Sequence, residues 1–263
     1  MSSAERLPLL AADEPSPVRV VNPGGASSFL LIGDHAGQRV PRRLGDLGIS
    51  QAELDRHIGW DIGIAELGER LAGLIDATFI HQVYSRLVID SNRAPGRIDA
   101  IPEMSDGIVI PANRGPSPEN RAERETAIQS PYQQAIGEEL ARRDAGAGPV
   151  TVLVSLHSFT PEMAGKARPW QVGVLWDAGN TRFARAVLAE LGRDPALTVG
   201  DNQPYAMDVI DYTVPRHAYP DRPYLEIEIR QDLLADSAGR QHWAERLAAL
   251  LAAVGSDGQR WPD

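Results

Sequence analysis

From residue 151 onward, short apolar runs alternate with amphipathic stretches, and this alternation limits the fold more than any other feature. "TVLVSLHS" (151–158), "QVGVLWD" (171–177) and "YLEIEIRQ" (224–231) read as strands, with "ALTVGDN" (196–202) as a weaker one. "TRFARAVLAELGR" and "HWAERLAALLAAV" carry helical spacing. A strand that is apolar on both faces needs a layer on each side. The pattern therefore predicts a mainly parallel sheet covered by helices.

The first half adds to this frame. "SFLLIGDHAG" (28–37) reads as a buried strand, and "ATFIHQV" with "SRLVID" (77–90) as one or two more. Residues 49–75, "ISQAELDRHIGWDIGIAELGERLAGLI", read as one helical stretch opened by a Ser50/Glu53 capping box. "SPENRAERETAIQ" and "SPYQQAIGEELARR" read as two helices, the second opened by Ser130 and Gln133 with Pro131 at its first position. Between strand and helix lies a long loop, 91–116, rich in Pro, Gly and Arg; a loop of that length points to function. Residues 1–17 are rich in Pro, Ser and acid and are expected to form a flexible arm. Residues 18–263 are expected to form one α/β domain.

Composition excludes several kinds of chemistry. The chain has 263 residues and no cysteine, so disulfides, thiolate nucleophiles and Cys-type zinc sites are ruled out. Any metal must be held by His, Asp, Glu or weaker oxygen ligands. A net charge of -10 argues against nucleic acid as partner, since phosphate binding needs surplus Lys and Arg. No apolar run is long enough to span a membrane. The start of the chain is charged and makes a poor signal peptide, so a cytoplasmic location is expected. No Gly-rich phosphate loop and no G-x-S-x-G elbow occur, which weakens nucleotide and serine-hydrolase readings.

In such sheets ligands bind beyond the carboxyl ends of the strands. The polar residues there are Asp34 and His35, Asp90 to Arg93, His157 and Ser158, and Glu228 with Arg230. His35 and His157 are metal candidates, since imidazole is a common zinc ligand and a catalytic site keeps one position open for water; each also fits an ordinary hydrogen-bonded histidine. Glu228 fits a general base or a paired residue on a solvated edge strand. Arg86, Asn92 and Arg93 suit a carboxylate. Asp61 fits a helix cap or a metal carboxylate. His217, in a Pro-rich loop, could reach substrate. His57, His81 and His242 read as structural.

Six stretches in order, "DHAGQRVP", "GWDIGIAELGERLA", "SRLVIDSNRAP", "LVSLHSFTP", "GDNQPY" and "YLEIEIRQDLL", resemble the N-formylglutamate amidohydrolase family over about residues 28–235. That family is similar in fold to zinc carboxypeptidases. The resemblance implies a three-layer α/β/α sandwich with a mostly parallel or mixed central sheet. It implies a zinc-dependent hydrolase that cleaves N-formyl-L-glutamate, a small anionic substrate, to formate and glutamate. His35 and His157 match the metal histidines and Glu228 the catalytic glutamate. "DSNR" resembles the Asp-Leu-Asn-Arg element of the carboxypeptidases, which assigns Asn92 and Arg93 to the substrate carboxylate with Arg86 nearby. Arg230 and His217 join them as substrate contacts. Where the carboxypeptidases carry His-x-x-Glu, this chain has His35-Ala36-Gly37-Gln38. The third metal ligand is therefore Gln38, Asp61 or water. Two other readings share these residues: a zinc hydrolase of another N-acyl amino acid or short peptide, and a metal-free binding protein for acidic amino acids.

Overall fold

The computed structural model describes residues 8–207, 211–255 and 261. Its centre is a seven-stranded sheet. The strands are β1 (Val18–Val21), β2 (Phe29–Gly33), β3 (Thr78–Gln82), β6 (Val152–Phe159), β9 (Val172–Leu175), β10 (Val199–Asp201) and β11 (Tyr224–Arg230). Two small hairpins, β4 (Met104–Ser105) with β5 (Ile108–Val109) and β7 (Glu162–Met163) with β8 (Lys166–Ala167), lie outside it. The sheet order is β1-β3-β2-β6-β11-β9-β10. β3, β2, β6 and β11 run parallel, while β1 and β9 pair antiparallel with their inner neighbours, β3 and β11. The sheet is thus mixed, with a parallel centre.

Each face has its own core. On one face Leu31, Phe79, Val154, Leu156 and Ile227 pack with helices α2 (Ile64–Ile75), α5 (Arg182–Leu191) and α7 (Ser237–Val254). On the other, Leu30, Ile32, Leu153 and Tyr224 pack with α4 (Ser130–Asp144) and α6 (Thr213–Ala218). Helices on both faces give the expected α/β/α layering. A third cluster, including Leu47, Tyr84, Leu87 and Ile128, lies under the loops. No helix among the described residues is long and apolar enough to cross a membrane.

Four expectations change. The stretch 49–75 is not one helix: α1 (Gln51–Leu54) ends early and α2 begins at Ile64. Gly59 and Gly63 break it, because a Cβ on Gly59 would lie 2.1 Å from the Leu54 carbonyl oxygen, and Gly63 has φ +86°. "SRLVID" is not a strand; its backbone turns, with Val88 N–H donating to the Ser85 carbonyl. α3 (Pro118–Arg124) continues through a π-turn at Glu125–Gln129 into α4, so Ser130 is helical rather than a cap. A π-turn re-pairs the backbone just where Pro131 lacks its N–H. Finally, residues 8–17 are docked. Leu9 is buried in the third cluster, and Tyr84 donates its hydroxyl to the Pro15 carbonyl. Residues 1–7 of the expected arm lie outside the described residues.

Candidate active site

The parallel strands change character along one face. Their first halves carry Leu30, Leu153 and Tyr224; their C-terminal halves carry Ser155, His157, Glu226 and Glu228, and Asp34 directly follows β2. Because side chains alternate, these polar residues share a face with the apolar ones before them. A cavity of about 430 Å³ lies against His157, Glu226 and Glu228. Register sets its floor: Glu228 pairs with His157 across β11 and β6, and Glu226 pairs with Ser155. β11 is interior, between β6 and β9, so its carboxylates are not on a solvated edge.

His35, Asp61 and His157 converge here, with one ligand atom of each within 4.8 Å of the others. His157 reaches the sheet face from β6, and His35 follows β2. Asp61 comes from the Gly-rich break, where its own N–H donates to the His35 carbonyl at 2.8 Å. Asp61 Oδ2 lies 2.9 Å from His157 Nδ1 and 3.7 Å from His35 Nδ1. His35 Nδ1 is buried and has no hydrogen-bond partner among the described residues. The outward nitrogens are fixed from behind. His35 Nε2 is 2.6 Å from Asp90 Oδ1, and His157 Nε2 is 3.0 Å from Ser155 Oγ and 3.5 Å from Asp34 Oδ2. Carboxylates behind imidazoles fix the tautomer and raise ligand basicity. Two histidines and one carboxylate, with an open side toward a cavity, fit a divalent cation with a free coordination position.

The electrostatics agree. Burial works against the charged form of His157, yet hydrogen bonding to Asp34 and Asp61 outweighs it and lifts its pKa well above the usual value. Burial likewise opposes ionisation of Asp90, and the charges of His35 and Arg86 overcome it, holding the carboxyl well below its usual range. Buried carboxylates that stabilise positive charge on an imidazole also attract a metal cation, which displaces the ring proton when it binds. Glu228 differs: burial pushes it up to about 7, with His157 pulling it partly back. Its Oε2 has no hydrogen-bond partner among the described residues. A carboxyl near neutrality at the cavity wall can take and return a proton.

Arg86, Asn92 and Arg93 also line the cavity, with prior engagements. Arg86 pairs with Asp90 at 2.8 Å and Asp61 at 3.5 Å. Asn92 Oδ1 accepts from the backbone N–H of Tyr212 and Thr213, and its Nδ2 donates to Asp211. Asn92 therefore holds the 211–213 wall. Arg93 donates to the Asn92 carbonyl and lies 3.6 Å from Asp99. Gln129 and Gln133 fasten this loop to the helix layer through the carbonyls of Asp90, Ser91 and Arg93.

Three candidates lie elsewhere. Gln38 lines a separate groove. Gly37 packs its backbone on Val83, leaving no room for a Cβ, and Arg39 N–H donates to the Val83 carbonyl, so the chain leaves the cavity after His35. Arg230 is tied to Asp232 and to the carbonyls of residues 168–170. His217 faces α4, with Nε2 2.8 Å from Gln133 Oε1. Sequence reading placed Asp90 among the strand-end polar residues and Glu226 inside a quoted strand, but gave neither a role. The alternation of "YLEIEIR" puts Glu226 on the Glu228 face, and that was the available signal. His57, read as structural, lines the cavity wall.

Residues 27–235 match the N-formylglutamate amidohydrolase family. A gene product of Agrobacterium tumefaciens with a known crystal structure is 34% identical, with a TM-score of 0.89, over 93% of this chain and 97% of that one. N-formylglutamate amidohydrolase from Ralstonia eutropha JMP134 shares the fold at 19% identity and a TM-score of 0.62, over 91% of this chain and 97% of the other. No curated protein matches the chain. The matched span contains every residue that lines the cavity, from His35 to Glu228. This chain belongs to the N-formylglutamate amidohydrolase family and is built as an amide-bond hydrolase.

Proposed function

We propose that the chain hydrolyses the formyl amide of N-formyl-L-glutamate to formate and glutamate, with zinc held by His35, Asp61 and His157. The observation that carries this reading is the buried His–Asp–His cluster beside a carboxyl of near-neutral pKa, Glu228, in a chain of this family. Zinc there supplies Lewis-acid polarisation of a carbonyl and a lowered water pKa. Glu228 accepts a proton from the attacking water as the new C–O bond forms. It returns that proton to nitrogen as the C–N bond breaks, so the amine leaves neutral. Arg86, Asn92 and Arg93 receive the substrate's carboxylates; local positive charge is what an acidic protein needs for an anion.

Formate release by the purified chain tests the reading. Turnover of N-formylglutamate is expected to stop after chelation and to return with added zinc. Glu228→Gln is expected to lower kcat by about 10²–10⁴-fold, the usual contribution of a general base. Turnover that survives complete metal removal would overturn the metal assignment. Faster hydrolysis of other N-acyl amino acids, read as release of the free amino acid, would move the substrate assignment to them.

A further inference from the structure

Glu226 is buried, lines the same cavity and takes no part in the proton transfer just described. It sits two residues before Glu228, so both side chains leave the same face of β11, about 6–7 Å apart along the strand. Its Oε2 is buried and has no hydrogen-bond partner among the described residues. The charges around it are mostly of its own sign: Asp211, Glu228 and Asp34, with His157 opposing. The two guanidiniums of the cavity are bonded elsewhere, Arg86 to Asp90 and Arg93 to the Asn92 carbonyl.

A buried polar atom left without a partner costs about 1–3 kcal/mol. Such an atom persists where something other than the protein completes it. A carboxyl oxygen accepts a hydrogen bond whether or not its neighbour carries a proton. An acceptor oxygen of this carboxyl is completed by a donor. An N-formyl amino acid at neutral pH offers few: its carboxylates and formyl oxygen only accept, and its backbone donor is the scissile amide N–H. After cleavage that nitrogen becomes an amine with more N–H groups.

We propose that Glu226 accepts a hydrogen bond from the scissile amide N–H and, after the C–N bond breaks, from the leaving amine. This assignment rests on the proposed deformylation. One face of β11 then serves both ends of the reaction: Glu228 moves the proton, and Glu226 orients the nitrogen that receives it.

The test compares the amide with an ester. In the O-formyl ester of 2-hydroxyglutarate an oxygen replaces the N–H; the ester is also the more reactive, so the quantity compared is the ratio of variant to wild type on each substrate. Glu226→Leu is expected to lower kcat/KM on N-formylglutamate about 10–100-fold, as loss of one hydrogen bond to a charged or buried group does. On the ester the loss is expected to stay below about threefold, since that hydrogen bond is absent there. Glu226→Gln, which keeps an acceptor oxygen, is expected to recover most of the amide loss. The unmodified protein supplies a second measurement that no folding defect can disturb: glutamate is expected to inhibit at least about tenfold more tightly than glutarate, which has no donor at that position. Equal losses on amide and ester together with equal inhibition by glutamate and glutarate would overturn the assignment. A wild-type chain inert on both substrates would overturn the proposed activity itself, and this assignment with it.

Discussion

Asp90 ties the His35–Asp61–His157 cluster to the arginine side of the cavity. One carboxylate oxygen meets His35 Nε2 at 2.6 Å and accepts the Asn92 N–H, while the other pairs with Arg86. Removing its charge leaves His35 in place but lowers the basicity of its ring. Asp90→Asn is expected to weaken zinc binding about 10–100-fold, the usual cost of losing a carboxylate behind a metal-ligating imidazole. Competition against a chromogenic chelator reads this directly, and unchanged affinity would show that Asp90 serves only Arg86. The same residue marks how far sequence reasoning reaches. His35 and His157 were legible because strand ends in an α/β sheet are where ligands bind. Asp61 was only one of three options, because a carboxylate in a Gly-rich break has no periodicity to place it. Gln38 entered by analogy with His-x-x-Glu, and the backbone contact of Gly37 with Val83 removes it from the cavity.

Between the residue and the fold, the break in the 49–75 stretch does the positioning. Gly63 adopts φ +86°, and a Cβ there would lie 2.6 Å from Leu234 Cβ and 3.0 Å from the Leu234 carbonyl oxygen. Gly63→Ala is expected to destabilise the protein by about 2–4 kcal/mol, combining left-handed strain with overpacking. Activity is expected to fall with it, since Asp61 is two residues away. Gly73, exposed within α2 and with nothing within 4 Å of where a Cβ would sit, is the internal control. Gly73→Ala is expected to stabilise by about 0.5–1 kcal/mol through helix propensity alone. Urea midpoints of the two variants should therefore move in opposite directions; a shared direction would refute the steric account. Elements defined by continuous apolar runs, such as β2, β6 and β11, were legible. The break was not, because Ile62, Ala65 and Leu67 keep helical spacing across it, and only tertiary contacts show where the glycines are needed. Residues 85–90 failed for the converse reason: an apolar run there packs in the loop cluster, with Leu87, Val88 and Ile89 all buried, without joining the sheet.

At the scale of the whole molecule, stability against acid depends on groups buried between layers. His217, on α6, lies against α4 and donates its Nε2–H to Gln133 Oε1. Burial is the largest influence on its ring, Arg216 and Arg222 add to it, Asp34 opposes, and the result is a pKa of about 4. In the unfolded chain the same ring titrates near 6.5. Above that value both states are neutral and folding carries no proton penalty. Between the two values the unfolded chain binds a proton that the folded chain does not, so stability falls as pH drops through this window. His217→Gln keeps a hydrogen-bonding side chain and removes the titration. From pH 7 to 4.5 the wild type is expected to lose on the order of 1 kcal/mol more than this variant, a linkage value reduced for the ring's partial exposure. Urea unfolding at the two pH values checks it. The difference between the proteins matters rather than either curve, because buried carboxyls such as Glu228, pushed up to about 7, act on stability with the opposite sign and are common to both. Parallel curves would mean that His217 is protonated in the folded protein, and that its contact with Gln133 holds the α4–α6 layer through a charged ring instead of a neutral one.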